Sequence, residues 1–278
     1  MPNKSFTDPE WTTALEQAGY SDFDTWWDAE GEQVEVGNFR GKDDNTSWSH
    51  VCRIHLDNGK TIYLKRQQNH YPTNLILKLR KVPTFELEWR NYQRLQEAGI
   101  PTMKIVYFAS RKKNGNHQCI VVSESLVDMS DIDQLARWYA QHGWPPRAQR
   151  LAILDSILKV IKKMHQAGMI HNALYGRHLY LNIPFVDGAP VEVPEKIHTT
   201  LIDLERTKYP GPRSRKMIDH DLRTMFKYIP EWPARDCLWF LKKYLGIDKL
   251  TPEAKAIILD LVPRRKKKRP FVKPDSPA

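Results

Sequence analysis

His171-Asn172-Ala173-Leu174-Tyr175-Gly176-Arg177-His178 and Leu201-Ile202-Asp203-Leu204-Glu205 are the stretches whose reading decides the fold, with Asp203 standing 25 residues beyond His178. The first follows a run over 147–167 in which Leu151, Leu154, Leu158 and Ile161 form one helical stripe closed by Gly168. It is polar and turn-rich, so it reads as a loop. The second completes a short apolar strand, Thr199–Ile202, and Leu179-Tyr180-Leu181 supplies another strand across a Pro-rich turn. An acid at the end of a buried strand needs a metal, a cation or hydrogen-bond donors to offset its desolvation. Taken alone, a histidine such as His178 is more often hydrogen-bonded structure than a ligand. The order of the pieces carries the information.

Upstream the chain is strand-rich. Cys52, Ile54 and Leu56 alternate with Arg53 and His55, and Asn58-Gly59 supplies the residues of a tight hairpin. Ile62 and Leu64 continue on the return strand, which puts Tyr63 and Lys65 on its other face. Residues 84–98 read as a helix with Phe85, Trp89, Tyr92 and Leu95 at helical spacing, Thr84 as N-cap, and Gly99 before Pro101 as its stop. Glu88 borders the apolar face of that helix. Strands follow at Lys104–Ser110 and Gln118–Ser123 around Asn114-Gly115-Asn116, then a polar connector over Ser123–Asp133. Past it, helices are expected at 147–167, 216–228 and 234–245. Strands with one helix, then mostly helices, describe an α+β protein of two lobes. The divisions expected are 1–20 as an N-terminal extension, 21–123 as a β-rich N-lobe, 124–262 as a helical C-lobe and 263–278 as a basic tail.

The 278 residues are enough for two such lobes, and a hydrophobic content of 41% supports a substantial core. Three widely spaced cysteines exclude a disulfide framework or a Cys zinc site. No apolar run reaches the roughly 20 residues of a spanning helix, and the N-terminus shows no secretory pattern. The expected location is therefore cytoplasmic. A formal charge of +10 points to an anionic partner. Six of the cations are adjacent, Arg264-Arg265-Lys266-Lys267-Lys268-Arg269. They suit a solvated tail, or an electrostatic contact with anionic lipid at about 1 kcal/mol per cation. Neither a zinc-finger spacing nor an RNP-like motif points to nucleic acid.

The ordered set matches the parts of a protein-kinase-like site. Lys65 on its strand would neutralise nucleotide phosphates and Glu88 on the next helix would orient it. His171 opens the loop, and His178 stands where kinases place a metal-binding Asn. Asp203 stands at the position of the metal-binding Asp. Asp221 would anchor the loop from a later helix. The connector at Ser123–Leu126, with Glu124 and Ser125, would meet adenine through main-chain groups.

The same residues resemble a known family. Phe23-Asp24-Thr25-Trp26-Trp27, Leu64-Lys65-Arg66-Gln67, Glu88 through Pro101, His171–Leu179, Asp203-Leu204-Glu205-Arg206 and His220-Asp221-Leu222-Arg223 are similar to the Kdo/WaaP family of lipopolysaccharide kinases, and within it the InaA-like branch. The resemblance implies a protein-kinase-like bilobal fold, use of ATP with Mg²⁺, and phosphorylation of a heptose or Kdo hydroxyl of the lipopolysaccharide core. It also implies a cytoplasmic site of action peripheral to the inner membrane, and the roles given above to Lys65, Glu88, His178 and Asp203.

The pattern breaks at Ala173, where active members carry the Asp that serves as base. An alanine accepts no proton, so His171, Tyr175 and Glu205 become the candidates to replace it. A second break is Val36-Gly37-Asn38-Phe39-Arg40-Gly41, which has two glycines where kinases have a Gly-rich phosphate loop. A third is Tyr63, a bulky ring on the Lys65 face of the strand. Two readings stay open: a phosphotransferase with an alcohol group as acceptor, or a nucleotide-binding pseudokinase with a regulatory or binding role.

Overall fold

Two antiparallel strands, β4 (Trp48–His55) and β5 (Thr61–Gln68), form the centre from which the first part of the chain is built. Cys52 pairs with Leu64 and Ile54 with Ile62, so their apolar side chains share one buried face. Their turn is looser than expected. Leu56 N–H donates to Lys60 O at 2.8 Å, leaving a three-residue loop in which Gly59, at φ +80°, takes the left-handed position. The computed structural model describes residues 4–34, 38–39, 47–72, 79, 81–209 and 215–261. The basic run at 264–269 lies outside them, as does the glycine segment at 36–41 apart from Asn38–Phe39, which pairs with β4.

The chain divides into two compact units, residues 1–94 with 103–125, and residues 95–102 with 126–278. In the first, β1 (Lys4–Thr7), β2 (Glu32–Gln33), β6 (Ile105–Lys113) and β7 (Asn116–Glu124) complete a sheet in the order β1-β6-β7-β5-β4-β2, with β3 (Asn38–Phe39) beside β4. Asn114 and Gly115, at φ +50° and +78°, turn β6 into β7. Two short helices, α1 (Thr12–Gln17) and α2 (Phe23–Asp28), cover the face bearing Ile62 and Leu64. Asp22 caps α2 in a capping box with Thr25. Trp11, Leu15 and Trp26 are buried in this core, and Trp26 stacks on Tyr20 at 4.2 Å. Residues 4–20 are therefore structural members of the first unit. On the opposite face lies α3 (Thr84–Glu97), whose last turn groups with the second unit.

The second unit is helical. Its elements are α4 (Ile132–His142), α5 (Arg147–Gln166), α6 (Arg215–Tyr228), α7 (Ala234–Leu245) and α8 (Pro252–Leu261). A small sheet of β8 (Ser130–Asp131), β9 (Leu179–Leu181) and β12 (Thr199–Leu201) supports the polar loop 171–178, while β10 (Phe185–Val186) and β11 (Ala189–Pro190) form the turn between β9 and β12. Arg147 and Arg150 from α5 clasp the buried Asp236 of α7 at 3.2 and 2.7 Å, which supplies the partners that a buried carboxylate requires. All three cysteines are free and buried. No described helix is long and apolar enough to cross a membrane.

Candidate active site

In the first unit the site begins on β5. Lys65 points away from the apolar face, and its Nζ meets Glu88 Oε1 of α3 at 2.7 Å. Glu88 is fully buried while the lysine is partly exposed, so the pair presents one cationic edge to solvent. A buried carboxylate is tolerable only with such a partner. The register between β5 and α3 is fixed by the next inward side chain, Gln67. Its Oε1 accepts from the Thr84 hydroxyl at 2.6 Å and from the Phe85 N–H at 3.1 Å. Gln67 thus satisfies the start of α3, which corrects the assignment of capping to Thr84: that hydroxyl is spent on Gln67. At the end of β7, the N–H groups of Glu124 and Ser125 donate to Lys104 O at 2.9 Å and Thr61 O at 3.0 Å.

In the second unit the loop 171–178 is held from three directions. Asp221 of α6 is fully buried and accepts from His171 N–H at 2.7 Å and Asn172 N–H at 2.8 Å. Its Oδ2 also meets Nε2 of the buried His165 at 3.3 Å, and His165 Nδ1 meets the Tyr244 hydroxyl at 2.8 Å. His171 Nε2 donates to Ile202 O at 2.9 Å, which ties the loop to the strand leading into Asp203. Gly176 packs so closely that an added Cβ would stand 2.5 Å from Ile229 Cγ2. His171 is fully buried. Its Nε2 is engaged by that main-chain carbonyl.

His178 and Asp203 come together at the end of this network. His178 Nδ1 donates to Ala173 O at 2.8 Å, which leaves the Nε2 lone pair facing Asp203 Oδ2 at 3.2 Å. Burial holds the imidazole neutral, with its pKa pushed down to about 4 although the Asp203 charge opposes the shift. Two acceptors therefore face each other, and Arg177 Nε donates to the same His178 nitrogen at 3.2 Å. Asp203 takes a left-handed backbone, φ +58° and ψ +63°, a conformation that a non-glycine residue holds only where its surroundings impose it. Glu205 and Tyr175 are half-buried, and the Tyr175 ring lies edge-on to His178 at 5.2 Å. Ala173 is buried.

The sequence of residues 24–244 matches the model of the lipopolysaccharide kinase (Kdo/WaaP) family. The chain belongs to this family. It is 31% identical to Protein InaA of Escherichia coli K12 over 221 residues, covering 79% of this chain and 93% of that protein. It is 27% identical to the lipopolysaccharide core heptose(I) kinase WaaP of Pseudomonas aeruginosa over 160 residues, 56% of this chain and 58% of that one. Among solved structures, WaaP in complex with acyl carrier protein superposes with a TM-score of 0.66 at 18% identity, covering 94% of this chain and 96% of that chain. At that identity the likeness establishes the fold: a bilobal, protein-kinase-like α+β architecture, as the Kdo/WaaP resemblance implied.

Within this family fold, Lys65 and Glu88 are brought together in one unit, and His178 and Asp203 in the other, with His171 beneath them. Three residues of the site had no role assigned from sequence. Gln67 was legible only as the next residue on the Lys65 face. His165 and Tyr244 carry no local signal, since their value lies in meeting Asp221 from other helices.

Proposed function

We propose that this Kdo/WaaP family member is an ATP-dependent phosphotransferase acting on a sugar hydroxyl of the lipopolysaccharide core. The observation that carries the reading is the Lys65–Glu88 pair at 2.7 Å with its carboxylate fully buried. That arrangement is expensive without a purpose for the charged edge, and neutralising nucleotide phosphates is a purpose it fits. Glu124 and Ser125 would offer carbonyl oxygens to the adenine amino group.

The fit of Mg²⁺ rests on the pair His178 and Asp203, whose Nε2 and Oδ2 stand 3.2 Å apart, with the Arg177 Nε–H that donates to that nitrogen turning aside for the cation. No group of three or more His, Cys, Asp or Glu side chains suited to a metal occurs among the described residues. A two-ligand site suits a cation that arrives with nucleotide phosphates and keeps its waters, which is how Mg²⁺ is usually held. Such a cation would neutralise charge on the transferring group. Asp203 and His178 would hold it, and Asp221 and His171 would keep both in position.

In the reaction, the acceptor oxygen forms a bond to the γ-phosphorus as the bond to the β,γ-bridging oxygen breaks, and the hydroxyl proton is released. With Ala173 at the usual base position, Glu205 and Tyr175 are the accessible groups that would take that proton. The loose transition state of phosphoryl transfer makes positioning and charge the larger contributions, and general-base help is worth about 10²–10⁴-fold. Arg264–Arg269 would add attraction to the anionic membrane surface carrying the glycolipid acceptor.

Ala173 supports a second reading, a pseudokinase that binds nucleotide and transfers nothing. One experiment separates the two. ATP with Mg²⁺ is expected to raise the melting temperature of the full chain, and the increment disappears in Lys65→Met and in Asp203→Asn. Labelled γ-phosphate is expected on purified lipopolysaccharide core acceptors. Binding without transfer leaves the pseudokinase, and no ATP-dependent shift overturns both readings.

A further inference from the structure

Glu88 can meet Lys65 only while α3 sits at the right depth on the sheet, and part of what seats α3 comes from the first residues of the chain. Strand β1 pairs antiparallel with β6 at one edge of the sheet, Lys4 opposite Ser110 and Phe6 opposite Phe108. Two of its side chains reach α3. Lys4 Nζ meets Glu86 Oε1 at 2.9 Å. The Phe6 ring lies 4.6 Å from the Trp89 ring, which in turn stacks on Phe108 at 5.1 Å and on Tyr92 at 5.6 Å. Glu86 and Trp89 flank Glu88 on either side along the helix. Burial by itself would raise the Glu86 carboxyl, but hydrogen bonds from Lys4 and Arg90 bring it below the usual carboxylate value. The segment following β1 is fastened too, through Asp8 N–H to Val106 O at 2.9 Å and Lys104 to Asp8 at 3.3 Å.

We propose that Lys4 and Phe6 are positioning residues for the phosphate-binding lysine: acting through Glu86 and Trp89, the N-terminal strand holds α3 where Glu88 orients Lys65. The role rests on the reading of Lys65 given above. It has a physical reason. The Gln67 cap secures the first turn of α3, and what holds the turns beyond it sets the depth at which Glu88 sits. The Lys4–Glu86 ion pair adds a hold on that first turn through a buried carboxylate, and the tilted Phe6–Trp89 ring contact grips the helix further along, beside the functional residue, worth about 0.5–1.5 kcal/mol beyond its burial. A strand of four residues at a sheet edge is also among the weaker parts of a fold, so its docking controls the helix while the rest of the sheet stays folded.

The test uses the full chain with Phe6→Ala and Lys4→Ala, alongside the conservative Phe6→Leu and Lys4→Arg. Hydrogen exchange is followed at the amides of residues 86–93 and of β5 and β7, and titration calorimetry compares ATP with Mg²⁺ against adenosine, which has no phosphate for Lys65 to hold. The expected result for the alanine variants is at least tenfold faster exchange in α3, with β5 and β7 within twofold of the unaltered chain. ATP binding weakens about five- to twentyfold and adenosine binding does not change, while the leucine and arginine variants stay near the unaltered chain. Exchange that rises equally throughout the sheet, or ATP affinity within twofold in both alanine variants, overturns the proposal. If the unaltered chain itself binds no ATP, the reading of Lys65 has failed and takes this role with it; a chain that binds ATP regardless of Lys4 and Phe6 defeats the positioning role alone.

Discussion

Asp203 carries a local conformational cost at the scale of one residue. Its left-handed backbone costs a non-glycine residue roughly 1–2 kcal/mol, and its carboxylate faces the His178 lone pair, which gives nothing back. Asp203→Gly is therefore expected to be more stable than Asp203→Ala by about 1 kcal/mol, because glycine adopts positive φ freely and alanine does not. Urea unfolding of the two variants checks this; equal midpoints would mean that the backbone here is not strained. Both variants are expected to lose ATP-dependent stabilisation. The pairings of Lys65 with Glu88 and of His178 with Asp203 match the order in which the sequence presents them, although each residue type alone is a weak signal. Gln67, His165 and Tyr244 were not legible, since a buried hydrogen-bond partner acquires its meaning from residues up to 79 positions away.

At the scale of elements, the long helices α5, α6 and α7 and the strands β4 to β7 follow from periodicity, and their bounds fall within a few residues of expectation. The exceptions are informative. Helix α4 lies mostly between the polar connector expected over Ser123–Asp133 and the helix expected at 147–167, although Ile132, Leu135, Ala136 and Tyr139 are at helical spacing and Asp131 caps it by accepting from Gln134 N–H at 2.9 Å. The charged residues interleaved with that stripe hid it. Strand β1 is four residues long, too short for alternation to register, and exists because β6 offers it an edge. The loop 171–178 is an element without periodicity, set instead by Asp221 and by the tight seat of Gly176. Gly176→Ala, which forces Cβ against Ile229, is expected to cost about 1–3 kcal/mol and to weaken binding of ATP with Mg²⁺ by displacing His178. Thermal unfolding and calorimetry check both; wild-type ATP affinity would show that the loop tolerates the shift.

For the whole molecule, two buried groups of the second unit tie stability to pH with opposite signs. Burial pushes Asp131 up to about 6, so the folded state keeps a proton that the unfolded chain releases above its ordinary value near 4. Stability from this group is present at low pH and is lost as pH rises from about 4 through 6. Burial pushes His178 down to about 4, so the unfolded chain binds a proton below about 6.5 that the folded state refuses. Stability from this group falls as pH drops from about 6.5 to 4. Each is worth on the order of 2–3 kcal/mol across its window, and in the unaltered chain the two slopes oppose. Relative to the unaltered chain, stability in Asp131→Asn is expected to rise more steeply between pH 4 and 6.5, and in His178→Asn less steeply between pH 4 and 6.5. Denaturant midpoints across that range read the slopes directly; parallel profiles for the two variants would refute the assignment.

By itself the sequence determined the α+β class, the order of a strand-rich part before a helical one, and the family. The class and the order follow from local periodicity, and the family from the resemblance of its motifs. Only the tertiary structure decided that Trp11 and Leu15 belong to the core, that Gln67 rather than Thr84 satisfies the start of α3, and that His171 is buried beneath the loop it opens. It alone decided that Asp221 holds that loop by two main-chain N–H groups. Burial and long-range hydrogen bonding are properties of juxtaposition, and juxtaposition of distant residues is set by how the elements pack.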